Sequence, residues 1–225
     1  MNHQQHSVGV IASREDWNAF AKKTTQCSVI EVRVDMLEQD HASTISEALD
    51  LPGIKKLLTL RGTAEKGLCE GAPDERWEQM YPLIHKADFF DFEIQSLSPA
   101  LASTIREQKG TALMVGSYHN FDACPSKEDL SQITETGLKL GCDIIKMAIQ
   151  MHQLQDFETL ASLIQEYPDT KFSLMGMGEL GAVSRHYFIN QGSVLNYGYL
   201  AGDNKAVVPG QLPTEIIQQL ISAQA

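Results

Sequence analysis

Lys146 is the residue of this sequence whose surroundings most need a chemical explanation. It lies inside the apolar run Ile144–Gln150, although lysine side chains are seldom fully buried. A lysine among other cations that is also partly desolvated is available as a neutral amine, which attacks carbonyl carbon. The resulting imine acidifies the neighbouring C–H, so that a positioned base can remove its proton. Taken alone, Lys146 also has an ordinary explanation, because strand lysines often extend their amine to water.

His119 is the candidate base, and it directly follows the apolar run Ala112–Tyr118. Imidazole is the side chain whose ordinary pKa suits both taking and returning a proton near neutral pH. Glu65 could orient this ring, as carboxylates do in other histidine-dependent sites. By itself, His119 could equally be a satisfied polar residue at the end of a strand. Together with Lys146, it predicts carbonyl chemistry by way of an imine.

Further polar residues could reach the same place, since each of them lies in an apolar run or in the segment that follows one. These residues are Glu31, Arg33, Asp35, Arg61, Arg185 and Gln211. Three arginines and a lysine would form a cationic pocket that suits a small carboxylate or phosphate, because arginine binds such groups with two parallel hydrogen bonds. The ordinary alternatives are an internal salt-bridge layer for Glu31, Arg33 and Asp35, and surface ion pairs for the other arginines.

The elements that must position these residues follow a regular alternation. Eight short apolar runs are typical of buried strands; they are Val8–Ala12, Val29–Asp35, Lys56–Arg61, Phe89–Ile94, Ala112–Tyr118, Ile144–Gln150, Lys171–Met177 and Val194–Leu200. Helices are predicted to start after Ser13, Ser98 and Ser126, and to end before Gly110 and Gly141. Further amphipathic stretches predict helices at Ser43–Leu51, Phe157–Glu166, Val183–Gln191 and Thr214–Ala223.

Eight strands alternating with eight helices predict an α/β fold, a compact (β/α)8 TIM barrel formed by residues 1–225 as a single domain. A doubly wound open sheet is the alternative, but no strand is followed by a G-x-G-x-x-G or Walker loop. In a barrel the carboxyl ends of the strands share one face, where active sites lie. The candidate residues are therefore expected to converge there.

Composition argues against several classes of partner. The net charge of −11 gives no electrostatic support for binding nucleic acid or an anionic membrane. No apolar run is long enough to cross a bilayer, and the first ten residues lack the pattern of a signal peptide, so a cytoplasmic location is expected. The four cysteines form no C-x-x-C pair and suggest neither a zinc site nor a disulfide framework.

Six short motifs occur in order along nearly the whole chain. They are Glu31-Val-Arg33-Val-Asp35, Arg61-Gly-Thr-Ala-Glu65, Ser117-Tyr-His119-Asn-Phe, Asp143-Ile-Ile-Lys146, the Met175–Arg185 stretch with its three glycines, and Pro209-Gly-Gln211. In this combination the sequence strongly resembles type I 3-dehydroquinate dehydratase, the Schiff-base enzyme of the shikimate pathway of aromatic amino acid biosynthesis. The resemblance implies a hydro-lyase that converts 3-dehydroquinate to 3-dehydroshikimate.

The resemblance also implies a role for individual residues. Lys146 would form the Schiff base, and His119, paired with Glu65, would act as general acid and base. The residues that would bind the small carboxylate substrate are Glu31, Arg33, Arg61, Arg185 and Gln211. No metal or organic cofactor is expected, because the lysine itself supplies the electron sink. A homodimer is also expected, since exposed helix faces of barrels commonly pair.

Two departures from the family pattern and two rival functions remain. Val207 and Gly9 stand where relatives carry serines that contact substrate, which implies altered affinity or loop closure. A class I aldolase barrel would share the lysine and usually needs a glycine-rich phosphate loop, which Gly176, Gly178 and Gly181 could supply. A non-catalytic metabolite-binding barrel is the third hypothesis, against which the joint presence of the lysine, histidine and glutamate argues.

Overall fold

The computed structural model describes residues 3–22, 27–37, 42–200 and 208–224. Within them a single sheet of parallel strands is covered on its outside by helices. The strands are β1 (His6–Ile11), β2 (Val29–Arg33), β3 (Lys55–Thr59), β4 (Phe89–Glu93), β5 (Leu113–Asn120), β6 (Ile144–Gln150), β7 (Phe172–Met177), β8 (Leu195–Tyr199) and β9 (Leu212–Pro213).

Helices follow the strands in regular alternation. They are α1 (Arg14–Lys22), α2 (Val34–Leu37), α3 (Ala42–Asp50), α4 (Pro73–Met80), α5 (Pro99–Gln108), α6 (Lys127–Lys139), α7 (Leu154–Glu166), α8 (Gly181–Asn190) and α9 (Thr214–Ser222). Short 3-10 segments lie at Thr63–Glu65, Tyr81–Lys86 and Ile94–Ser96. In these described ranges, no helix has both the length and the hydropathy needed to cross a bilayer.

The strand order is β7-β6-β5-β4-β3-β2-β1-β8-β9, with every neighbouring pair parallel. The two strands β7 and β8 meet at their amino ends, where the Val194 N–H donates to the Phe172 carbonyl at 2.7 Å and the Ser173 hydroxyl donates to the Leu195 carbonyl. The sheet therefore curls back on itself, and the predicted α/β barrel fold is confirmed.

The helix boundaries follow the local signals in the sequence. The hydroxyl oxygens of Ser98 and Ser126 each accept the backbone N–H of the residue three positions later at 3.1 Å, which satisfies a donor that the first helical turn leaves free. Gly110 and Gly141 follow α5 and α6 with φ of +59° and +84°, a conformation that glycine adopts without the steric cost of a Cβ. The predicted starts and ends of these helices are confirmed.

Strand alternation arranges the barrel interior in layers. The side chains of Val29, Phe89, Val115 and Ile144 belong to one apolar cluster, while the next residues along β2, β4 and β6 pack under the helices in a separate core. Every second side chain of a strand faces the barrel interior. The next interior residue after each of these four therefore lies two positions further along its strand, and it is polar. Those residues are Glu31, Asp91, Ser117 and Lys146, all buried. A charged layer thus lies directly above the apolar floor of the barrel.

The structure moves the end of the second predicted strand and adds a short strand at the end of the sheet. Strand β2 ends at Arg33, and Asp35 lies in the short helix α2, so the prediction that all three charged residues project from one strand is wrong for Asp35. At this turn the Asp35 carboxylate accepts two hydrogen bonds from Arg33. The strand β9 was not predicted, because two residues that include Pro213 carry no periodic pattern.

Candidate active site

A cavity of about 290 Å³ opens at the carboxyl ends of the strands. All eight residues that the sequence assigned to catalysis or substrate binding line it, namely Glu31, Arg33, Glu65, Arg61, His119, Lys146, Arg185 and Gln211. They come from strands β2, β5 and β6, from helix α8, from the 3-10 segment Thr63–Glu65 and from loops, so only closure of the barrel brings them together.

Lys146 lies at the cavity floor in β6 and is 4 % exposed. Its Nζ is 3.0 Å from Asp91 Oδ2 and 3.9 Å from Glu31 Oε1, and it lies over the ring of Tyr197 at 4.2 Å from the centroid. Two carboxylates and an aromatic ring therefore hold the amine in place, and Lys146 also lines the cavity.

His119 and Glu65 form a buried hydrogen-bonded pair beside the lysine. His119 Nδ1 and Glu65 Oε2 are 2.6 Å apart, and the imidazole stacks on Phe121 at an interplanar angle of 11°. Burial and the cations Arg61 and Lys146 hold the pKa of His119 well below its ordinary value. Burial raises the pKa of Glu65 to about 8, against the opposing effect of Arg61. The imidazole is thus kept neutral, and it can accept a proton at Nε2 in the tautomer whose Nδ1–H donates to Glu65.

Arg61 is the centre of an ion-pair network and is only 4 % exposed. Its guanidinium lies 2.8 Å from Asp91, 3.3 Å from Glu65 and 2.6 Å from the Ser117 hydroxyl. Burial alone would raise the pKa of Asp91, but Arg61 and Lys146 outweigh it and hold that pKa below its ordinary value. The predicted cluster of cations thus also contains carboxylates, which pair with Arg61 and Lys146. Arg61 is also not a surface ion-pair partner.

Sequence reasoning missed two acidic residues of β4 that build this network. Asp91 pairs with Lys146 and Arg61, and Glu93 pairs with Arg76, whose Nη1 lies 2.5 Å from Glu93 Oε2. Glu93 Oε1 also accepts the N–H of Gly62 at 2.8 Å. The alternation Phe-Asp-Phe-Glu, which turns both carboxylates to the inside of the barrel, is the signal that could have identified them.

The remaining charged residues of β2 are held in fixed orientations. Arg33 donates from Nε and Nη2 to the two oxygens of Asp35 at 2.9 and 2.7 Å, and Asp35 also accepts the N–H of Leu68. Glu31 accepts the Thr59 hydroxyl at 2.8 Å. Both Glu31 and Arg33 nevertheless border the cavity, so a ligand can reach them without rearrangement of the strand.

Arg185 differs from the other two arginines of the cavity. It is 6 % exposed, its Nη1 donates to the Tyr197 carbonyl at 2.9 Å, and its Nε has no hydrogen-bond partner among the described residues. No carboxylate in those parts of the chain pairs with it, and burial lowers its pKa to about 10. A buried guanidinium without a counter-ion is a strong site for an anion.

Gln211 reaches the cavity because glycines let its segment pack against the turn after β7. The Gly178 N–H donates to the Pro209 carbonyl at 3.0 Å. Gly210 has φ of +83°, and a Cβ at this position would lie 2.5 Å from the Gly178 carbonyl and 2.6 Å from Gly181 Cα. Gly178 and Gly181 thus serve close backbone packing here, which removes the main support for a glycine-rich phosphate loop of the aldolase type.

The two departures expected from the sequence have different outcomes. A Cβ on Gly9 would meet Leu200 Cδ2 at 2.6 Å and Cys27 Sγ at 3.0 Å, on the side of β1 that faces away from the cavity. The expectation that Gly9 costs the site a serine contact is therefore wrong, since the cavity-lining residues of this strand end are Val10 and Ala12. Val207 lies outside the described residues.

No group of three or more metal-ligating side chains occurs within the ranges that the structure describes. The cysteines at positions 27 and 142 are free and buried, and burial raises the pKa of each thiol to about 12. These two thiols are therefore packing residues rather than nucleophiles.

Comparison with known proteins agrees with this geometry. The family model described as Type I 3-dehydroquinase matches residues 9–225. A 3-dehydroquinate dehydratase of Thermodesulfovibrio yellowstonii is 31% identical over 212 residues, which are 92% of this chain and 90% of the relative. One from Methanocaldococcus jannaschii is 30% identical over 194 residues, 85% of each chain.

Solved structures show the same fold at lower identity. The crystal structure of 3-dehydroquinate dehydratase from Geobacillus kaustophilus aligns with a TM-score of 0.81 at 22% identity, covering 98% of this chain and 91% of that one. The Aquifex aeolicus enzyme aligns with a TM-score of 0.78 at 24% identity, covering 97% and 98%. With the family model matching nearly the whole chain and the motif residues gathered in one cavity, this protein belongs to the type I 3-dehydroquinase family.

Proposed function

We propose that this protein dehydrates 3-dehydroquinate to 3-dehydroshikimate through a Schiff base on Lys146, and so serves the shikimate pathway. The observation that carries the proposal is the joint placement of Lys146 and His119 in one cavity with Arg185, a buried cation that has no acidic partner in the described ranges. This set combines a nucleophile, a base and an anion site. A hydroxylated keto acid of small size uses all three.

The reaction begins when the Lys146 amine attacks the C3 ketone and water leaves, which gives an iminium. His119, kept neutral by its lowered pKa, first accepts the proton that the lysine must lose and returns it to the carbinolamine oxygen that leaves as water. Neutral again, it then removes a proton from C2. The electrons of that C–H bond flow toward the iminium nitrogen. His119 then protonates the departing C1 hydroxyl, and hydrolysis of the imine releases the enone and restores the lysine.

Binding of the substrate is assigned to the remaining cavity residues. Arg185 takes the carboxylate, since it has no acidic partner among the described residues. Arg61 and Arg33 are already oriented by carboxylates and present their outer donors to substrate oxygens. Glu31 and Gln211 fix the ring hydroxyls. Glu65 holds the His119 ring through its bond to Nδ1, which leaves Nε2 as the atom for proton transfer.

The test is to trap the imine. The protein is incubated with 3-dehydroquinate and borohydride, and mass spectrometry locates the reduced adduct while absorbance follows enone formation. Wild type is expected to carry the adduct on Lys146, and His119→Ala to form the adduct but to stall before the enone. Lys146→Ala gives neither adduct nor turnover but still binds ligand, whereas the exposed Lys139→Ala behaves as wild type. No adduct and no enone with wild type would refute the dehydratase proposal.

We further propose that residues 1–225 act as one cytoplasmic catalytic domain that forms a homodimer and uses no metal or organic cofactor. The net charge of −11 supports a small-molecule substrate and no nucleic-acid partner. Exposed apolar side chains such as Leu154 and Val183, 70 % and 65 % exposed, support a contact between copies. Sedimentation equilibrium measures the mass, and a monomer at micromolar concentration would contradict the dimer.

A further inference from the structure

Tyr197 places a hydroxyl group in the active site for which the described part of the chain offers no hydrogen-bond partner. The residue lies in β8, is 5 % exposed and lines the same cavity as Lys146. A buried hydroxyl without a partner costs about 1–3 kcal/mol, and phenylalanine would fill the same space without that cost. The hydroxyl therefore needs an explanation other than packing.

The ring of Tyr197 is in contact with the proposed nucleophile. Lys146 Nζ lies 4.2 Å from the ring centroid, within the range in which an aromatic face stabilises a cation. An imine formed by Lys146 carries its positive charge at this same nitrogen. The aromatic face thus lies against the atom that bears charge before and after the covalent step.

The surroundings of the hydroxyl keep it a hydrogen-bond donor. Burial, followed by the carboxylates of Glu31 and Asp91, raises the pKa of Tyr197 well above its ordinary value, although Arg61 and Arg33 oppose this. Those two carboxylates are engaged elsewhere, Glu31 by the Thr59 hydroxyl and Asp91 by Ser117, Arg61 and Lys146. A protonated hydroxyl thus lies among the charged groups of the cavity with no partner in the part of the chain that the structure describes.

We propose that Tyr197 is a further catalytic residue, whose hydroxyl donates a hydrogen bond to an oxygen of the bound hydroxy-keto acid while its ring stabilises the cation at Lys146 Nζ. This inference rests on the proposed function, because it needs a substrate oxygen and an imine nitrogen in the same cavity. It adds a donor to the site without any covalent or proton-transfer step of its own.

Two substitutions separate the hydroxyl from the ring. Tyr197→Phe removes only the donor and is expected to lower kcat/KM about tenfold, mainly through KM, the size expected for one lost hydrogen bond to substrate. Its melting temperature stays equal or rises, because the buried unpaired hydroxyl is gone. Tyr197→Leu also removes the aromatic face, so that kcat falls further and less adduct is trapped by borohydride in a fixed time.

Tyr167→Phe is the matched control. The Tyr167 hydroxyl donates to the Ser131 carbonyl at 3.4 Å, and the residue lies between α7 and β7 at the opposite end of the barrel. Its kinetics are expected to equal those of wild type. Wild-type KM and kcat in Tyr197→Phe would overturn the inference, as would a lowered melting temperature with unchanged kinetics, since the hydroxyl would then have an internal partner. Failure of the proposed function is distinguishable, because wild type itself would then give no adduct.

Discussion

Replacement of Glu93 by glutamine tests whether the buried ion-pair network supports the site. Glu93 is 3 % exposed and receives Arg76 Nη1 at 2.5 Å, Arg61 Nη1 at 3.5 Å and the Gly62 N–H at 2.8 Å. Glutamine keeps the shape of the side chain and an oxygen for the Gly62 N–H. The substitution therefore removes little except a negative charge.

The magnitude follows from what remains around Arg76. This guanidinium is 3 % exposed, and its other contacts are the Leu60 carbonyl at 3.3 Å and the Phe92 ring at 5.0 Å. In the described parts of the chain no second carboxylate pairs with it. Leaving one member of a buried pair uncompensated costs about 3–5 kcal/mol. At about 2–4 °C per kcal/mol for a chain of this size, the melting temperature of Glu93→Gln falls by about 10 °C.

A double-mutant cycle with thermal and urea unfolding is the assay. Arg76→Met removes the nearer cation of Glu93, which keeps Arg61 at 3.5 Å, and is expected to destabilise less than Glu93→Gln. The double variant loses less than the sum of the two single variants. The exposed Lys139–Glu135 pair, 2.9 Å apart with the lysine 75% exposed, is the control, since Lys139→Ala costs less than about 0.5 kcal/mol. Additive single effects, or a loss below about 1 kcal/mol in Glu93→Gln, would refute the reasoning.

Three further predictions concern the cavity itself. Gly210→Ala forces a Cβ onto the Gly178 carbonyl at 2.5 Å and displaces Gln211, so that KM rises severalfold. Gly192→Ala is the control: this glycine has φ of +89° with open space around it, so the substitution costs only backbone strain of about 1 kcal/mol and leaves the kinetics unchanged. Equal KM values in the two variants would contradict this prediction. Arg185→Gln raises KM at least about tenfold in steady-state kinetics, since a hydrogen bond to a charged group is worth about 1.5–3 kcal/mol. Its melting temperature, measured by calorimetry, falls less than that of Glu93→Gln because no ion pair of the described chain is broken. Burial raises the pKa of Glu65 from 4.5 to about 8, so the stabilising contribution of the protonated carboxyl is complete below pH 4.5 and is lost as the pH rises to 8. The unfolding free energy of Glu65→Gln relative to wild type should therefore increase between pH 5 and pH 8, and a pH-independent difference would show that the pKa of Glu65 is not raised.

The residues that carry the chemistry could be identified from the sequence, because the patterns that mark them are local. Lys146 was identified by its charge inside an apolar strand, and His119 and Arg185 by their positions after strands. The barrel was identified by the alternation of apolar runs with capped helices, and the caps at Ser98 and Ser126 formed as expected. Each of these signals lies within a few residues along the chain, where strand and helix periodicities operate.

What surrounds each group was decided by tertiary structure. The charge that faces Lys146 depends on barrel closure, on the register of β4 with β5 and on that of β5 with β6. Together these bring Asp91 to 3.0 Å from the Lys146 amine. The same closure left Arg185 without an acidic partner and Tyr197 without a hydrogen-bond partner among the described residues. Strand alternation also turned Gly9 away from the cavity. A linear sequence shows which groups are present, but burial and pairing arise between segments far apart in the chain, and these set how each group can react.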